Sequence, residues 1–363
     1  MSKHNVGAVA CHFDIDGEFA GAAAHGSGHI NDSYCITFRQ ASMPVRYILQ
    51  RINHNIFKNP IAVMENIQRV TSHLATKVSG EPDRSRLVLT LIPGRDGQAW
   101  HVDEDGNYWR MYRLIENARS YDAVESTGQA FQAAKAFGRF QKLLVDLPAP
   151  RLHDTIKDFH HTPKRFIALE QAIARDVTGR AILAKREIEV AFTHQSISSV
   201  LADANLPECI THNDTKFNNV MLDDRTGEGL CVIDLDTVMP GLALHDFGDM
   251  VRTATSPAKE DELDLSKVTM QFSMFEALVR GYLTSADFLT KAEKQHLVFS
   301  GKLITFEQGV RFLTDYLQGD AYYKVSRNEH NLDRCRTQFK LLESIEQQEE
   351  RMDRLLESIE QPY

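Results

Sequence analysis

The residues best placed to do chemistry lie in one run, Thr211-His212-Asn213-Asp214-Thr215-Lys216-Phe217-Asn218-Asn219-Val220-Met221-Leu222-Asp223. His, Asp, Lys and Asn stand together just before an apolar strand, Val220 to Leu222. A turn of Asp223, Asp224, Thr226, Gly227 and Gly229 leads into a second apolar strand, Leu230 to Leu235, which carries Asp234 and Asp236 at its end. Two short apolar runs around a glycine-bearing turn predict a hairpin. A hairpin brings the polar ends of both strands to one edge, so Asp214 and Asn219 face Asp234. Those types meet the needs of phosphoryl transfer from a nucleotide. One carboxylate orients the attacking hydroxyl and takes its proton. An amide oxygen and a second carboxylate hold Mg²⁺, a hard ion that prefers oxygen. Lys216 adds a point charge within reach of the transferring group.

The bland alternative is a polar loop and an ordinary hairpin with solvated carboxylates at the strand end. Against it stands the coupled spacing. Asp-x-Lys-x-x-Asn resembles the catalytic loop of the protein-kinase-like fold. His-x-Asp-x-x-x-x-Asn followed by Ile-Asp-x-Asp resembles its aminoglycoside phosphotransferase branch.

The elements that must position these residues fall into two halves. Upstream, a Gly/Ala stretch precedes Gly26-Ser27-Gly28-His29-Ile30-Asn31, and strands are expected at Tyr34–Phe38 and Arg46–Ile52. A glycine turn between strands is one way to lay backbone N–H groups over nucleotide phosphates, although the P-loop string is absent. Asn59-Pro60 opens a helix through about His73, with Glu65 inside it as a candidate acidic partner for a nucleotide-binding cation. Strands are expected at Leu87–Ile92 and Tyr108–Ile115, and Tyr112 through Asn117 reads as a hinge offering backbone groups to an adenine. Downstream, helical patterns dominate over 127–145, 163–176, 181–204 and 261–285, interrupted only by the hairpin.

Composition bounds the rest. The chain has 363 residues, 42% hydrophobic and 25% charged, with a formal net charge of −9, which argues against general nucleic-acid binding. Its apolar runs fall short of the roughly 18 residues that mark a membrane span. The N-terminus lacks signal-peptide character, and five scattered cysteines read as reduced thiols, so a cytoplasmic location is expected. His153, His160 and His161 sit near Asp154 and Asp158, but without zinc-type spacing they read as a solvated, helix-capping loop. Asp246-Phe247-Gly248 matches a kinase metal signature letter for letter. Its place just before a helix instead predicts that Asp246 buttresses the catalytic loop. An amphipathic helix with a glycine stop is expected over 306–322. The tail string Leu341 to Gln347 recurs as Leu355 to Gln361, placing Leu342, Ile345, Met352, Leu356 and Ile359 on one stripe. That stripe packs on the chain's own lobe or, alternatively, makes a coiled-coil dimer.

Taken together, the strings Gly28-His29-Ile30-Asn31, Arg46-Tyr47-Ile48-Leu49-Gln50, Thr211 to Lys216, Ile233 to Thr237, Met239-Pro240-Gly241, Asp246 to Asp249, Arg311 to Asp320 and Glu329 to Leu332 resemble the N-acetylhexosamine 1-kinases. The resemblance implies an α+β, protein-kinase-like bilobal fold, with a small mainly β lobe over 1–116 and a larger mainly helical lobe over 117–363. It implies transfer of the ATP γ-phosphate, with Mg²⁺, to the anomeric hydroxyl of N-acetylglucosamine or N-acetylgalactosamine. Asp214 is then the base with Lys216 beside it, and Asn219 and Asp234 are the metal ligands. Gly26, Gly28, Gln50, Tyr112 and Leu114 meet the nucleotide. His29, Asn31, Arg311 and Tyr322 line the sugar site. One departure stands out: the nucleotide-anchoring strand lysine is missing, and Gln50 or Arg51 stands there. The open alternatives are a sister kinase for choline, homoserine or an aminoglycoside, an inactive nucleotide-binding relative, or a metal-dependent hydrolase using His212, Asp214, Asp234, His245 and Asp246. A monomer is expected, binding a small sugar and ATP, with neither nucleic acid nor membrane as partner.

Overall fold

The computed structural model describes residues 4–26, 30–41 and 43–360. Gly28 and His29 lie outside the described residues. The first half builds one antiparallel sheet from β1 (Glu18–Ala24), β2 (Asp32–Gln40), β3 (Met43–Arg51), β4 (Leu91–Ile92), β5 (His101–Val102) and β6 (Tyr108–Arg113). Its order is β1-β2-β3-β6-β4, with β5 also on β6. Alternation sorts the side chains onto two faces. Ile36, Phe38, Tyr47, Leu49, Trp109 and Met111 pack with Val6, Val9, Ala10 and Phe13 on the outer face. The last group includes α1 (Val6–Ala10), a helix too short to show in the sequence pattern. The register pairs Gln50 with both Ser33 and Arg110, on the opposite, inner face.

Helix α2 (Pro60–Lys77) begins as expected: the Asn59 side chain accepts from the Ala62 amide, and Pro60 supplies a helical φ where no N–H is needed. The strand expected from Leu87 is short. Residues Arg84–Leu87 form a helical turn, α3, whose Arg86 donates to the Glu116 and Asn117 carbonyls and pairs with Asp223 at 2.8 Å. That ties the sheet region to the hairpin downstream.

After β7 (Ala118–Arg119) come the helices α4 (Thr127–Leu144), α5 (Thr162–Arg175), α6 (Lys185–Thr193) and α7 (Val200–Asp203). The expected helix over 181–204 is therefore broken, with a 3₁₀ turn at Gln195–Ser199 between its parts. Strand β8 (Cys209–Thr211) precedes the hairpin β9 (Val220–Asp223) and β10 (Gly229–Val232), and β11 (Met239–Gly241) returns to pair with β8. Asp223 caps the hairpin turn by accepting from the Arg225 and Thr226 amides. Helices α8 (Ala243–Ala254), α9 (Phe272–Ser285), α10 (Lys291–Gln295), α11 (Leu297–Leu317), α12 (His330–Glu346) and α13 (Glu349–Glu360) complete the helical region. The helix expected from 261 starts only at Phe272, because Asp264 turns its carboxylate onto the Ser266 amide and closes a 3₁₀ turn instead.

Helix α11 starts earlier than its pattern suggests and is buried nearly all round rather than amphipathic. It ends before Gly319, at φ +93°, as the glycine stop predicts. The tail stripe turns inward: Leu342, Ile345, Met352 and Leu356 are buried in this chain, and Lys302 of α11 pairs with Glu349 at the start of α13. The stripe is thus covered by the chain itself. Where α4 crosses α9, Gly281 lies against the Phe131 backbone with no room for a Cβ. Gly281→Ala should therefore force the helices apart and destabilise the fold by about 1–3 kcal/mol, the scale of overpacking, read as a lowered urea midpoint.

Candidate active site

The loop between β8 and β9 has almost no regular structure, yet three of its amides, those of His212, Asn213 and Thr215, find acceptors on α8. The buried Asp246 carboxylate accepts from the His212 amide at 2.8 Å and the Asn213 amide at 2.7 Å, and from Gln141 Nε2 at 2.7 Å. Burial pushes Asp246 up to about 6, against the pull of His212 and the two amides. One turn on, Asp249 accepts from the Thr215 amide at 2.8 Å, and Thr215 Oγ1 donates to the Asp246 carbonyl at 2.6 Å. Asp246 therefore buttresses the loop as expected, although it stands inside α8 rather than ahead of the helix. Asn213 takes the left-handed conformation at φ +65°, which asparagine tolerates. Its side chain donates to the Thr237 carbonyl at 2.9 Å. The His212 ring lies between Phe137 and Phe140, donates from Nε2 to the Ile233 carbonyl at 2.9 Å and accepts the Asp214 amide at Nδ1.

The result is a fixed Asp214 side chain, about a quarter exposed, with Lys216 Nζ at 3.0 Å. Burial alone would raise this carboxyl, but Lys216, with His212 and Arg252 behind it, holds it below its ordinary value. The Asp214 carboxylate in turn raises Lys216. Asn219 Nδ2 donates to the Asp214 carbonyl at 2.8 Å and reaches its carboxylate at 3.3 Å. The Ile233 amide donates to the Asn219 carbonyl at 2.9 Å, which brings Asp234 across to the same edge, as the hairpin predicts. Asp234 sits at φ +59°, and its carboxylate has neither ion pair nor hydrogen bond among the described residues. Burial, Asp236 and Asp214 together push it up to about 6.

Around this centre several expected residues hold other positions. Glu65 faces outward and bonds His153 Nε2 at 2.7 Å, because Asn66 occupies the inward register of α2, donating to the His153 and Val238 carbonyls. Gln50 donates to Ser33 Oγ and accepts from Arg110 Nε at 3.0 Å. Arg51 points to the other face and pairs with Asp32. The acidic partner inside the cleft is Asp236, paired with the fully buried Arg110. Asn31 donates to Asp236 at 2.6 Å and accepts from the Asn53 amide, so both ends of its side chain are engaged within the fold. Gly26 follows β1 at φ +78° and is exposed. Tyr112 is buried in β6, and the Leu114 amide donates to the Arg46 carbonyl.

On the other side of Asp214, His160 is buried rather than solvated: Nδ1 meets Glu307 at 2.8 Å and Nε2 the Asn213 carbonyl at 3.2 Å. Its neighbour His161 does cap α5. Arg311 lies over Phe159 at 4.8 Å and Tyr323 at 5.8 Å, with one hydrogen bond to Gln308 and no carboxylate partner among the described residues. Tyr322 is 54% exposed, whereas Tyr323 takes the inner place. Glu307, Tyr323 and Arg110 thus join the neighbourhood unannounced, His160 joins it from a loop expected to be solvated, and Asp236 gains a cation partner. The hydrolase set does not assemble. Both His212 nitrogens and the Asp246 carboxylate are engaged by the fold, and no group of three or more His, Cys, Asp or Glu side chains suits a metal among the described residues. No helix is long and apolar enough to cross a membrane among those residues.

The sequence matches the phosphotransferase enzyme family over residues 21–276, and the chain belongs to that family. Solved structures share its mixed fold. A microcompartment-associated aminopropanol kinase is 15% identical, with TM-score 0.56, covering 96% of this chain and 98% of that one. A spectinomycin phosphotransferase in complex with ADP and spectinomycin is 13% identical, with TM-score 0.54, covering 94% and 97%. The ethanolamine kinase of Plasmodium vivax is 13% identical, with TM-score 0.55, covering 88% and 82%.

The His160–Glu307 contact gives a pH prediction. Burial would raise the Glu307 carboxyl, but His160, Arg311 and Thr162 outweigh it and hold it at about 2. A depressed carboxyl contributes stability that is complete above its unfolded value, roughly 4.3, and lost as pH falls through the folded value. Glu307→Gln should therefore be less stable than the parent at neutral pH, with the gap in denaturant midpoint closing as pH is lowered toward about 2.

Proposed function

We propose that the chain is a kinase that uses ATP and Mg²⁺ to phosphorylate the hydroxyl of a small-molecule alcohol. The observation that carries it is the division of labour among three carboxylates. Asp214 is ionised beside Lys216, Asp236 is paired with Arg110, and Asp234 is left without a protein partner. Asn219 turns its amide nitrogen to Asp214, and its oxygen, a hard donor, is the second ligand in this reading. Two protein oxygens with phosphate and water completing the shell is the usual way Mg²⁺ is held at such sites. When bound, the ion neutralises charge developing on the phosphate oxygens. Asp214 orients the acceptor hydroxyl and takes its proton as the O–P bond forms and the bond to the ADP oxygen breaks. Lys216 keeps Asp214 ionised until then and stays beside the transferring group.

The acceptor is the finer question. The kinases whose fold this chain shares are named for aminopropanol, ethanolamine and spectinomycin, and a small alcohol of that broad kind is the reading the likeness favours. One observation favours a second reading, an N-acetylhexosamine phosphorylated at its anomeric hydroxyl. Arg311 and Arg165 both lie around Phe159 without a carboxylate partner among the described residues, and they suit a neutral, oxygen-rich acceptor better than an ammonium. ADP release measured across amino alcohols, aminoglycosides and N-acetylhexosamines separates the two. Turnover with none of them would overturn the kinase reading.

Asp214→Asn should lower kcat by roughly 10²–10⁴-fold, the scale of general base catalysis, with Mg-ATP affinity little changed. Asp234→Asn should also weaken the apparent Mg²⁺ affinity. Equal, mild effects of both substitutions on every parameter would sink these roles.

A further inference from the structure

We propose that Arg110, on β6, supplies the cation that holds the nucleotide's polyphosphate, in place of the strand lysine that is Gln50 in this chain. The inference rests on the kinase reading above and concerns a residue which that reading does not use.

The register of the sheet makes the substitution possible. Gln50 and Arg110 are paired neighbours on β3 and β6, so their side chains leave the same inner face. They touch: Arg110 Nε donates to Gln50 Oε1 at 3.0 Å. A guanidinium rooted one strand away thus reaches the place where a lysine at position 50 would put its charge. Gln50 gives up charge and becomes an acceptor that steers Arg110.

Arg110 also keeps a donor in reserve. Nε is taken by Gln50 and Nη1 by the Asp236 carboxylate, yet Nη2 is buried and has no partner among the described residues. The Tyr112 hydroxyl, on the same face of β6, is likewise buried without a partner among them, and the guanidinium lies 5.4 Å from its ring. Two orphaned donors side by side are rare in native interiors, because each costs the hydration it gives up. They lie in the field of Asp234 as well as Asp236. The acceptor that suits them is an anionic oxygen next to the proposed metal carboxylate, which is where a nucleotide's phosphates would run. Neighbouring cations are already committed: Arg51 to Asp32 on the outer face, Arg46 to Glu116, and Lys216 to Asp214.

The test is calorimetric binding of MgADP and of adenosine, without turnover, to the full chain. Neutralising both partners at once, as Arg110→Gln with Asp236→Asn, avoids leaving either charge buried alone. The double variant should lose at least about tenfold in MgADP affinity, the scale of one charge-assisted hydrogen bond, and keep its adenosine affinity. Adding Gln50→Lys to it should restore part of the loss. Unchanged MgADP binding by the double variant would overturn the inference alone, making the pair structural. An equal loss for adenosine and MgADP would overturn it too, as a change of cleft shape. A parent chain that binds no MgADP would overturn the kinase reading itself. Should the double variant not fold, ¹⁵N spectra of arginine side chains in the parent decide. The Arg110 signal, identified by its absence in Arg110→Lys, should move with MgADP and not with adenosine, and a signal that MgADP leaves in place rejects the proposal.

Discussion

The candidate site depends on one buried carboxylate. Asp246 lies in the first turns of α8 and accepts two successive backbone amides of the loop that carries Asp214. A loop of this kind has few backbone partners of its own, and buried amides must find acceptors somewhere. Asp246 and Asp249 provide them from a helix packed into the core, and His212 adds a wedge between two phenylalanines. The loop is therefore held by the helix beneath it. Gly248 lets α8 approach so closely, since a Cβ there would collide with the Ser300 carbonyl of α11.

Charge is arranged on the same economy. Three carboxylates converge where the sheet region meets the hairpin, and burial penalises each of them. Two are matched with a cation, Asp214 with Lys216 and Asp236 with Arg110, and the third, Asp234, is raised by the other two. A local deficit of positive charge is what a divalent cation relieves. The pairing of Asp236 also couples the halves of the chain. Arg110 comes from the sheet, Asn31 from just ahead of β2 and Asp236 from beyond the hairpin, so the three side chains bridge the two parts of the chain.

A second bridge ties α11 to the same loop. His160 joins the Asn213 carbonyl to Glu307 of α11, the helix that also carries Arg311. A change in the packing of α11 would be felt at the residue next to Asp214. The buried His245 ring, pushed down to about 3 by burial and by His160, lies 5.1 Å from His160 and fills the space behind it as a neutral group.

How much of this could be read in advance follows from the range of each interaction. The hairpin, the Asn59-Pro60 helix start, the alternation of β2 and β3 and the glycine stop at Gly319 are local effects, and the sequence alone determined them. So was the convergence of Asp214, Asn219 and Asp234, because a single tight turn separates their strands. The buttress at Asp246 was expected from a helix just downstream, but only the structure shows that α8 already begins at Ala243 and holds Asp246 in its first turns. Helix boundaries around 181–204 and 261–285 were not legible, since single side chains such as Asp264 divert the backbone and periodicity does not register them. Glu65 shows the limit most plainly: one position along α2 separates the buried Asn66 from a surface glutamate, and only the packed sheet decides which faces in. Arg110 with Asp236, and His160 with Glu307, join residues 126 and 147 positions apart. Such pairs obey no spacing rule, because the chain path that joins them is set by the packing of the whole fold, and only the tertiary structure decided them.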